Sequence, residues 1–507
     1  MATNPEDIVA QAHAQFNQLM EFSRSSDTKT NLHDLEAAVF TKILEIGRLA
    51  IEASFAVQAL HFNRMPAHEP GKALLHPHSQ HPHSQREARL QTICGTVHFS
   101  RSYFWNGGQG HYEMDAALNI PPTGPSDFVR ILLERLAVSM SYEEASRLLA
   151  DYFPVAQSTR CTRDVIDADS QCAQHYYQQA AAPAVCPQET ILVVQADCKG
   201  VPVIAESTST KKCAPGKKKE GPKAEGKKKM STLTTVATYA PLMRTAEQIV
   251  ASLFDDKTYV PSPQGHSFKR VWATMKGKDA AISQSQVFVN QLTTDPAISQ
   301  RLQHRVLLTD GEKALKQRLK AAYPGYVHVL DLIHGMSYLW LAAGAWYGSN
   351  TQAQTKWVRN ATLGLLRGEV WGVLNEIFDW SEANKSASKV ALLEKAGWYL
   401  YNNMNSMRYD IYLAKGWPIA SGMVEGACRH VVKDRCERSG QRWTVSGVEG
   451  MLALRCIEEN GDWASYHAYR IRHRHTSVYG RQPQASPDAN ESDVYQFKTE
   501  MKWADAA

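Results

Sequence analysis

Two short, largely apolar runs that each end in an aspartate constrain the fold of this chain most. Residues 191–196 lead into Asp197, and residues 306–309 lead into Asp310. Runs of this length are typical of buried strands, and the helical patterns between them predict a mixed α/β sheet. A third acid, Glu425, begins a helix-like stretch. We expect these three acids to converge at one edge of the sheet.

Three converging carboxylates would offer only oxygen ligands, which suit Mg²⁺ or Mn²⁺. In a site with two ions about 3.5–4 Å apart, one ion activates the attacking oxygen and the other stabilises the leaving oxygen. We assign Asp197 to bridge both ions, Asp310 to hold one and Glu425 to hold the other. This predicts phosphoryl transfer on nucleic acid. Taken singly, each acid also fits a helix cap or a charge that offsets a helix dipole.

The charge of the chain is only mildly basic and does not by itself indicate a nucleic-acid partner. Its 507 residues include 56 Lys plus Arg against 51 Asp plus Glu, a net charge of +5. The basic residues cluster, however, at 211–229, 429–442 and 470–474. Such clusters favour contact with a phosphate backbone.

Cysteine use and the N-terminus favour a cytoplasmic protein. The nine cysteines include no Cys-x-x-Cys pair, so neither a disulfide framework nor a thiolate zinc site is predicted. The first residues lack the basic and apolar regions of a signal peptide. No run of about 18 apolar residues, the length that a membrane span needs, is found in the sequence.

Six segments are predicted along the chain from changes in pattern and composition. They are an N-terminal helical region with a His/Pro loop (1–89), a hairpin with a helix-turn-helix-like region (90–185), the first part of a catalytic core (186–334), an all-helical Trp-rich insertion (335–420), the final acidic helix of the core (421–460), and a basic segment with a disordered tail (461–507). The repeated His-Pro-His-Ser-Gln of residues 76–85 is interpreted as a flexible loop in preference to a metal site, because proline-rich low-complexity sequence seldom holds rigid ligands.

A helix over 141–153, a turn and a second helix from residue 158 follow the pattern of a helix-turn-helix motif. Arg160 and Arg163 lie at the start of the second helix and are candidate DNA contacts. A plain helical hairpin is the alternative, because many such hairpins share this pattern.

In the core, the strand 191–197 is expected to turn back onto a hairpin partner at 201–204, and a third strand is expected at 232–239. Residues 206–230 between them carry nine lysines. A lysine-dense loop beside a carboxylate site can attract a phosphate backbone, although a solvated loop is the alternative. The candidate DNA contacts here are Lys217, Lys218, Lys219, Lys227, Lys228 and Lys229.

Eight of the 12 tryptophans lie between residues 340 and 443, where we expect most of them to form the core of the helical insertion. One or two are candidates for stacking on an unpaired base. Beyond Glu425, the side chains of Arg429, His430 and Lys433 are candidate phosphate contacts.

Four short motifs resemble those of the DDE transposases of bacterial insertion sequences, most closely the ISKra group and more loosely the Mutator-like transposases. They are Val-Gln-Ala-Asp-Cys-Lys-Gly-Val-Pro at 194–202, Leu-Leu-Thr-Asp-Gly-Glu at 307–312, Asp-Leu-Ile-His at 331–334 and Ser-Gly-Met-Val-Glu-Gly at 421–426. The resemblance covers roughly residues 90–460. It implies an RNase H-like fold with an all-helical insertion before the final acid, and it places the acidic triad on Asp197, Asp310 and Glu425.

The resemblance also implies that the Asp-x-x-His motif, Asp331 and His334, supports the site or contacts the scissile phosphate. A strand-end aspartate that caps a helix is the alternative for that motif. Relatives often carry paired cysteines where residues 103–111 have none, so no zinc knuckle is expected there.

The function that the resemblance implies is that of a Mg²⁺- or Mn²⁺-dependent transposase acting on double-stranded DNA. Such an enzyme binds the terminal inverted repeats of its element, cleaves a strand and joins it to target DNA. A homo-oligomer is expected, because two DNA ends must be brought together. The alternatives are a non-catalytic DNA-binding regulator derived from a transposase, and an RNase H-like nuclease without strand transfer.

Overall fold

A computed structural model describes residues 4–25, 31–64, 82–105, 110–204, 228–254, 266–438 and 440–480. The chain divides into two compact units. The first comprises Met1–Val165 together with Ala464–Ala507, and the second comprises Ile166–Trp463. The finer division into six segments stays a prediction. Residues 76–81 of the His/Pro repeat, and Lys217, Lys218, Lys219 and Lys227, lie outside the described residues.

The described chain contains both helices and strands, and none of these helices is both long and apolar enough to cross a membrane. The strands are β1 (Pro82–Thr92), β2 (Gly95–Trp105), β3 (Gly110–His111), β4 (Ile191–Pro202), β5 (Lys228–Tyr239), β6 (Lys269–Thr274), β7 (His304–Thr309) and β8 (Val327–Leu330). The helices are α1 (Pro5–Ser25), α2 (Leu32–Arg64), α3 (Glu113–Ala117), α4 (Asp127–Ala137), α5 (Tyr142–Tyr152), α6 (Thr159–Asp169), α7 (Ala173–Gln179), α8 (Ala246–Phe254), α9 (Lys278–Thr293), α10 (Pro296–Arg301), α11 (Lys313–Ala322), α12 (Leu332–Tyr347), α13 (Gln352–Leu366), α14 (Val370–Ala383), α15 (Ala387–Asn403), α16 (Tyr409–Ala414), α17 (Gly422–Ala427), α18 (Asp434–Cys436), α19 (Val445–Glu459) and α20 (Trp463–Tyr479).

The first unit contains the predicted hairpin, which is longer than expected. Strands β1 and β2 pair antiparallel from Thr92 and Gly95 at the turn to Pro82 and Phe104 at the open end. Residues 82–85, predicted as part of a loop, therefore begin a strand. The longer pairing is supported by the Gln85 amide, which donates to the hydroxyl of Ser102 at 2.9 Å.

The predicted helix pair is also present, as α5 and α6, and the first unit includes α6 as far as Val165. The hydroxyl of Ser141 accepts from the backbone N–H of Glu144, whose carboxylate accepts in turn from the N–H of Ser141. This reciprocal pair is a capping box, which fixes where α5 begins. The hydroxyls of Ser146 and Thr162 are 2.8 Å apart and join the two helices.

The second unit is built on a mixed five-stranded sheet with the order β6-β5-β4-β7-β8. Strands β4, β5 and β6 form an antiparallel meander, whereas β7 and β8 run parallel to β4. A mixed α/β sheet was predicted, and it is present. Because β7 and β8 are parallel to β4, the carboxyl ends of these three strands lie at the same edge.

The predicted hairpin between 191–197 and 201–204 is wrong. Strand β4 continues past Asp197 to Pro202 and pairs without interruption with β5, from Ile191 opposite Tyr239 to Pro202 opposite Lys228. The continuous ladder satisfies backbone groups that a turn after Asp197 would leave unpaired. The antiparallel partner of β4 is therefore β5, which contains the strand predicted at 232–239.

One face of this sheet shares a core with helices α12 to α16. Trp380 lies inside that core and packs on Trp346 at 5.3 Å and on Trp357 at 4.6 Å between ring centroids. As predicted, most of the eight tryptophans are buried or partly buried. Trp371 and Trp398 are the exceptions, at 54% and 53% exposed.

Candidate active site

Asp197, within β4, and Asp310, directly after β7, occupy neighbouring positions where the parallel ladder between these strands ends. The parallel ladder between β4 and β7 ends where Gln195 is opposite Leu308. Continuing that register by two residues places Asp197 beside Asp310. The two predicted acids are therefore brought together by strand pairing.

Asp331 continues the same row of acids. The ladder between β7 and β8 ends where Thr309 is opposite Leu330, so Asp310 and Asp331 are the next residues of their strands. Side chains alternate between the two faces of a strand, so Asp310 shares a face with Leu308 and Asp331 shares a face with Val329. Both apolar residues belong to the core beneath the helices. Asp310 and Asp331 therefore lie just beyond the buried core residues, at the carboxyl ends of β7 and β8.

Asp197 is half-buried, and its environment opposes its negative charge. Burial is the largest influence and raises the pKa of the carboxyl, and the charge of Asp310 raises that pKa further. The backbone N–H of Cys198, 2.6 Å from Oδ1, acts in the opposite direction, as do the Cys428 thiol, 3.6 Å from Oδ2, and His334. A divalent cation beside Asp197 and Asp310 would offset the repulsion between the two carboxylates.

Asp310 is not the cap of the helix that follows it. Glu312 is the N-cap of α11, because its carboxylate accepts from the backbone N–H groups of Ala314 and Leu315. Oδ1 of Asp310 accepts from the N–H of Glu312 at 2.9 Å, and Oδ2 accepts no hydrogen bond from the described residues. The backbone carbonyl of Asp310 accepts from the hydroxyl of Tyr399 on α15. The helical block is thus tied to the strand end that carries Asp310.

Glu425 lies on α17, which is docked on the strand that carries Asp197. The N–H of Val424 donates to the buried side-chain carbonyl of Gln195 at 3.0 Å. Oε1 of Glu425 accepts from the hydroxyl of Ser421 at 2.9 Å, and Oε2 accepts no hydrogen bond from the described residues. Directly after α17 the chain forms a π-helical turn, Cys428–Lys433. Turns of this kind are frequent at functional sites.

Both carboxylate oxygens of Asp331 accept hydrogen bonds from backbone N–H groups of the protein. Asp331 is 1% exposed, and its two oxygens accept from the backbone N–H groups of His334 and Ser421. It is the N-cap of α12, which is the structural alternative for the Asp-x-x-His motif. His334 is exposed, with its ring 6.1 Å from that of Tyr338 and 6.2 Å from that of Tyr399.

The acids suit a hard cation by type, but the described side chains include no group of three or more His, Cys, Asp or Glu residues arranged to hold a metal ion. The adjacent pair is Asp197 and Asp310, and Glu425 is exposed on the neighbouring helix. Asp310 is partly buried and Glu425 is exposed. The carboxylate oxygens of Asp197, Asp310 and Glu425 are of the type that Mg²⁺ or Mn²⁺ prefers, and a metal site formed by all three stays a prediction.

The basic candidates near Glu425 are exposed. Arg429 and His430 lie 4.0 Å and 3.3 Å from carboxylate oxygens of Asp434, and Lys433 is exposed beside them. At the start of β5, the ammonium of Lys228 lies 3.0 Å from Glu437, and Lys229 is exposed. These side chains are accessible to a phosphate backbone.

In the first unit, Arg160 and Arg163 are both exposed on α6 and both face Asp164. The nearest distances to the carboxylate of Asp164 are 3.8 Å for Arg160 and 3.0 Å for Arg163. Part of their charge is therefore offset within their own helix.

Several residues of the site were not predicted. The two-residue alternation of β4 could have placed Gln195 on the face of Asp197, since the two are two positions apart. Tyr399 and Cys428 gave no such signal, because their contacts depend on the packing of α15 and the π-helical turn. Ser421 was noted only as part of the motif around Glu425.

No family model and no curated protein matches this sequence. Among solved structures, the strand transfer complex of the Drosophila P element transposase is similar over 77% of this chain and 91% of its own chain, with 11% sequence identity and a TM-score of 0.22. A TM-score this low does not establish a shared fold.

Proposed function

We propose that this protein is a transposase of a bacterial insertion sequence that cleaves and joins DNA strands with the help of divalent metal ions. The observation that carries the proposal is the register of the parallel strands, which brings Asp197 and Asp310 side by side. Glu425 is on a helix docked on the same strand as Asp197 through Gln195. These are the three acids of the motifs that resemble DDE transposases.

The topology of the second unit supports an RNase H-like core. A three-stranded antiparallel meander is extended at its first strand by two parallel strands, which is the sheet expected for that fold. The helical block α12 to α16 lies in sequence between Asp310 and Glu425, where the resemblance places an all-helical insertion.

In the proposed site, Asp197, Asp310 and Glu425 hold Mg²⁺ or Mn²⁺. The bound ions would activate the attacking oxygen and stabilise the leaving oxygen of the phosphodiester. Asp197 is suited to this role because burial and the charge of Asp310 raise the pKa of its carboxyl, and a bound cation would offset both influences. Exposed Arg429, His430, Lys433, Lys228 and Lys229 would contact phosphates of the DNA, and His334 would support the site beside Tyr399.

The partner in this proposal is double-stranded DNA, both the terminal inverted repeats of the element and the target. Arg160 and Arg163 on α6 would contribute to the binding of the repeats. A homo-oligomer is part of the proposal, because two ends must be held together for joining. The lysines at 217–219 and Lys227 stay candidates from sequence.

The test is an assay on duplexes that carry the ends of the sequence element around the gene, with Mg²⁺ or Mn²⁺. Purified protein should nick these ends and form joined products. Asp197→Asn should bind the same duplexes and cut none of them. Asp295→Asn is the matched control, because Asp295 caps α10 and the same isosteric change there should leave cutting intact.

Each alternative gives a different result. A regulator would shift the duplexes in a gel and never cut them, and a nuclease without strand transfer would cut them and give no joined product. Cutting by Asp197→Asn at the wild-type rate would remove this acid from the chemistry.

A further inference from the structure

The N-terminal end of α17 is held by two buried side chains from the sheet. Asp331 is 1% exposed and accepts from the N–H of Ser421, while Gln195 is 1% exposed and accepts from the N–H of Val424. Asp331 ends the strand next to that of Asp310, and Gln195 precedes Asp197 by two residues. The helix with Glu425 is thus attached to β4, which carries Asp197, and to the end of β8, which pairs with the strand of Asp310.

Among the described residues that hold the start of α17, only Ser421 also forms a hydrogen bond with the carboxylate of Glu425. Its backbone N–H donates to Asp331, and its hydroxyl donates to Oε1 of Glu425 at 2.9 Å. Ser421 as a residue is 5% exposed. Glu425 itself is exposed, and without this hydrogen bond its side chain would be free to adopt several rotamers.

We propose that Ser421 is a positioning residue that holds the carboxylate of Glu425 in one orientation for metal binding, while the buried Asp331 fixes the backbone of Ser421. The inference rests on the proposed function, because it assumes that Glu425 holds a metal ion. In this proposal Asp331, the aspartate of the Asp-x-x-His motif, anchors α17 and does not contact the substrate. Residues that orient metal ligands in this way typically change metal affinity or activity by about 10- to 100-fold when they are lost.

The first experiment compares Ser421→Ala and Ser421→Thr with the wild type in DNA cleavage as a function of Mn²⁺ concentration. Ser421→Ala should raise the Mn²⁺ concentration for half-maximal cleavage by about 10-fold or more, with unchanged DNA affinity. Ser421→Thr keeps the hydroxyl and should restore most of the wild-type dependence. An Mn²⁺ dependence of Ser421→Ala equal to that of the wild type would overturn the inference.

The second experiment measures backbone hydrogen exchange over residues 421–427 in the metal-free protein, which does not depend on activity. Asp331→Asn should speed exchange there, because its amide group cannot accept from both N–H groups. Ser421→Ala keeps its backbone N–H and should leave exchange unchanged. Faster exchange in Ser421→Ala as well would mean that the serine only stabilises the helix, and this too would overturn the inference.

The two proposals fail in different ways. Wild-type protein that binds end duplexes without cutting them in Mn²⁺ would refute the proposed function and with it the role of Ser421. Wild-type protein that cuts, together with a Ser421→Ala variant of wild-type Mn²⁺ dependence, would refute only the positioning role.

Discussion

The acids at the edge of the sheet and the arginines on α6 are both charged sets with a proposed role on DNA, yet they are held in opposite ways. Asp197 and Asp310 are half-buried, adjacent through strand register, and contacted by backbone N–H groups. Arg160 and Arg163 are exposed, with 83% and 48% of their side chains accessible, and their nearest charged partner is Asp164.

This difference separates a preorganised site from an adaptable surface. Charges near a low-dielectric interior interact strongly, because water and salt screen them little. Exposed ion pairs contribute about 0–1 kcal/mol and can be exchanged for other partners in solution. Changes at the sheet edge should therefore alter the chemistry by orders of magnitude, whereas changes on α6 should alter a salt-dependent affinity.

The largest effect is expected for Asp310→Asn. Loss of one metal ligand removes several kcal/mol of transition-state stabilisation, so cleavage should fall by at least about 1,000-fold. DNA affinity in a gel-shift assay should stay the same or rise, because a negative charge has been removed. Cleavage is measured on the end duplexes with Mg²⁺.

Glu312→Gln is the matched control for Asp310→Asn, because it removes a carboxylate two residues away. Glu312 caps α11 and forms an ion pair with Lys278, so its loss should lower stability and leave cleavage within a few-fold. If Glu312→Gln instead abolished cleavage and Asp310→Asn did not, the acid of the site would be assigned to the wrong residue.

The strands that lead to Asp197 and Asp310 were predicted from the sequence, and the reason is local. The short apolar runs before Asp197 and Asp310 indicate buried strands without knowledge of their partners. Their adjacency then follows from parallel pairing. The length of β4 could not be predicted, because Lys199-Gly200-Val201-Pro202 has the composition of a turn and only the ladder with β5 keeps it extended.

The role of Asp331 shows a second limit of sequence reasoning. A strand-end aspartate followed three residues later by histidine fits both a helix cap and a site residue. The choice depends on Ser421, which is 90 residues away along the chain and whose N–H occupies one oxygen of Asp331. The docking of α17 through Gln195 depends on a contact between residues 229 positions apart. Neither contact leaves a pattern in the local sequence.

A smaller effect is expected on α6. Replacement of Arg160 and Arg163 together by alanine should weaken binding of the end duplexes by about tenfold near 0.1 M salt. The slope of log affinity against log salt concentration should also become shallower, by the equivalent of about two phosphate contacts. Asp164→Asn should act in the opposite direction and tighten binding, because it releases both arginines from their intrahelical partner. Binding is measured by fluorescence anisotropy at several salt concentrations.

Arg318→Ala is the matched control for the arginines of α6, because Arg318 forms an exposed pair with Asp279 that has no proposed DNA role. Its affinity should equal that of the wild type. Equal losses in Arg318→Ala and in the α6 variant would mean that overall charge, and not the helix pair, determines binding.

The smallest effect is expected for the stability of the metal-free protein and depends on pH. Because the folded state raises the pKa of Asp197, it holds the proton more tightly than the unfolded chain does. The ionised carboxylate therefore destabilises the fold at neutral pH, and this penalty is lost as the pH falls through the raised pKa toward the ordinary value of about 3.9. Asp197→Asn, which is always neutral, should melt about 1–3 °C higher than the wild type at pH 7.

This stability gain should shrink as the pH is lowered, and scanning calorimetry of both proteins from pH 7.5 to pH 4 would measure it. Mg²⁺ should raise the melting temperature of the wild type alone, because only the ionised acid pair attracts the cation. The edge of the sheet would then behave as a site whose unfavourable charge is balanced by its ligand. A lower melting temperature for Asp197→Asn at every pH, with no Mg²⁺ effect on the wild type, would place Asp197 with the structural acids such as Asp331.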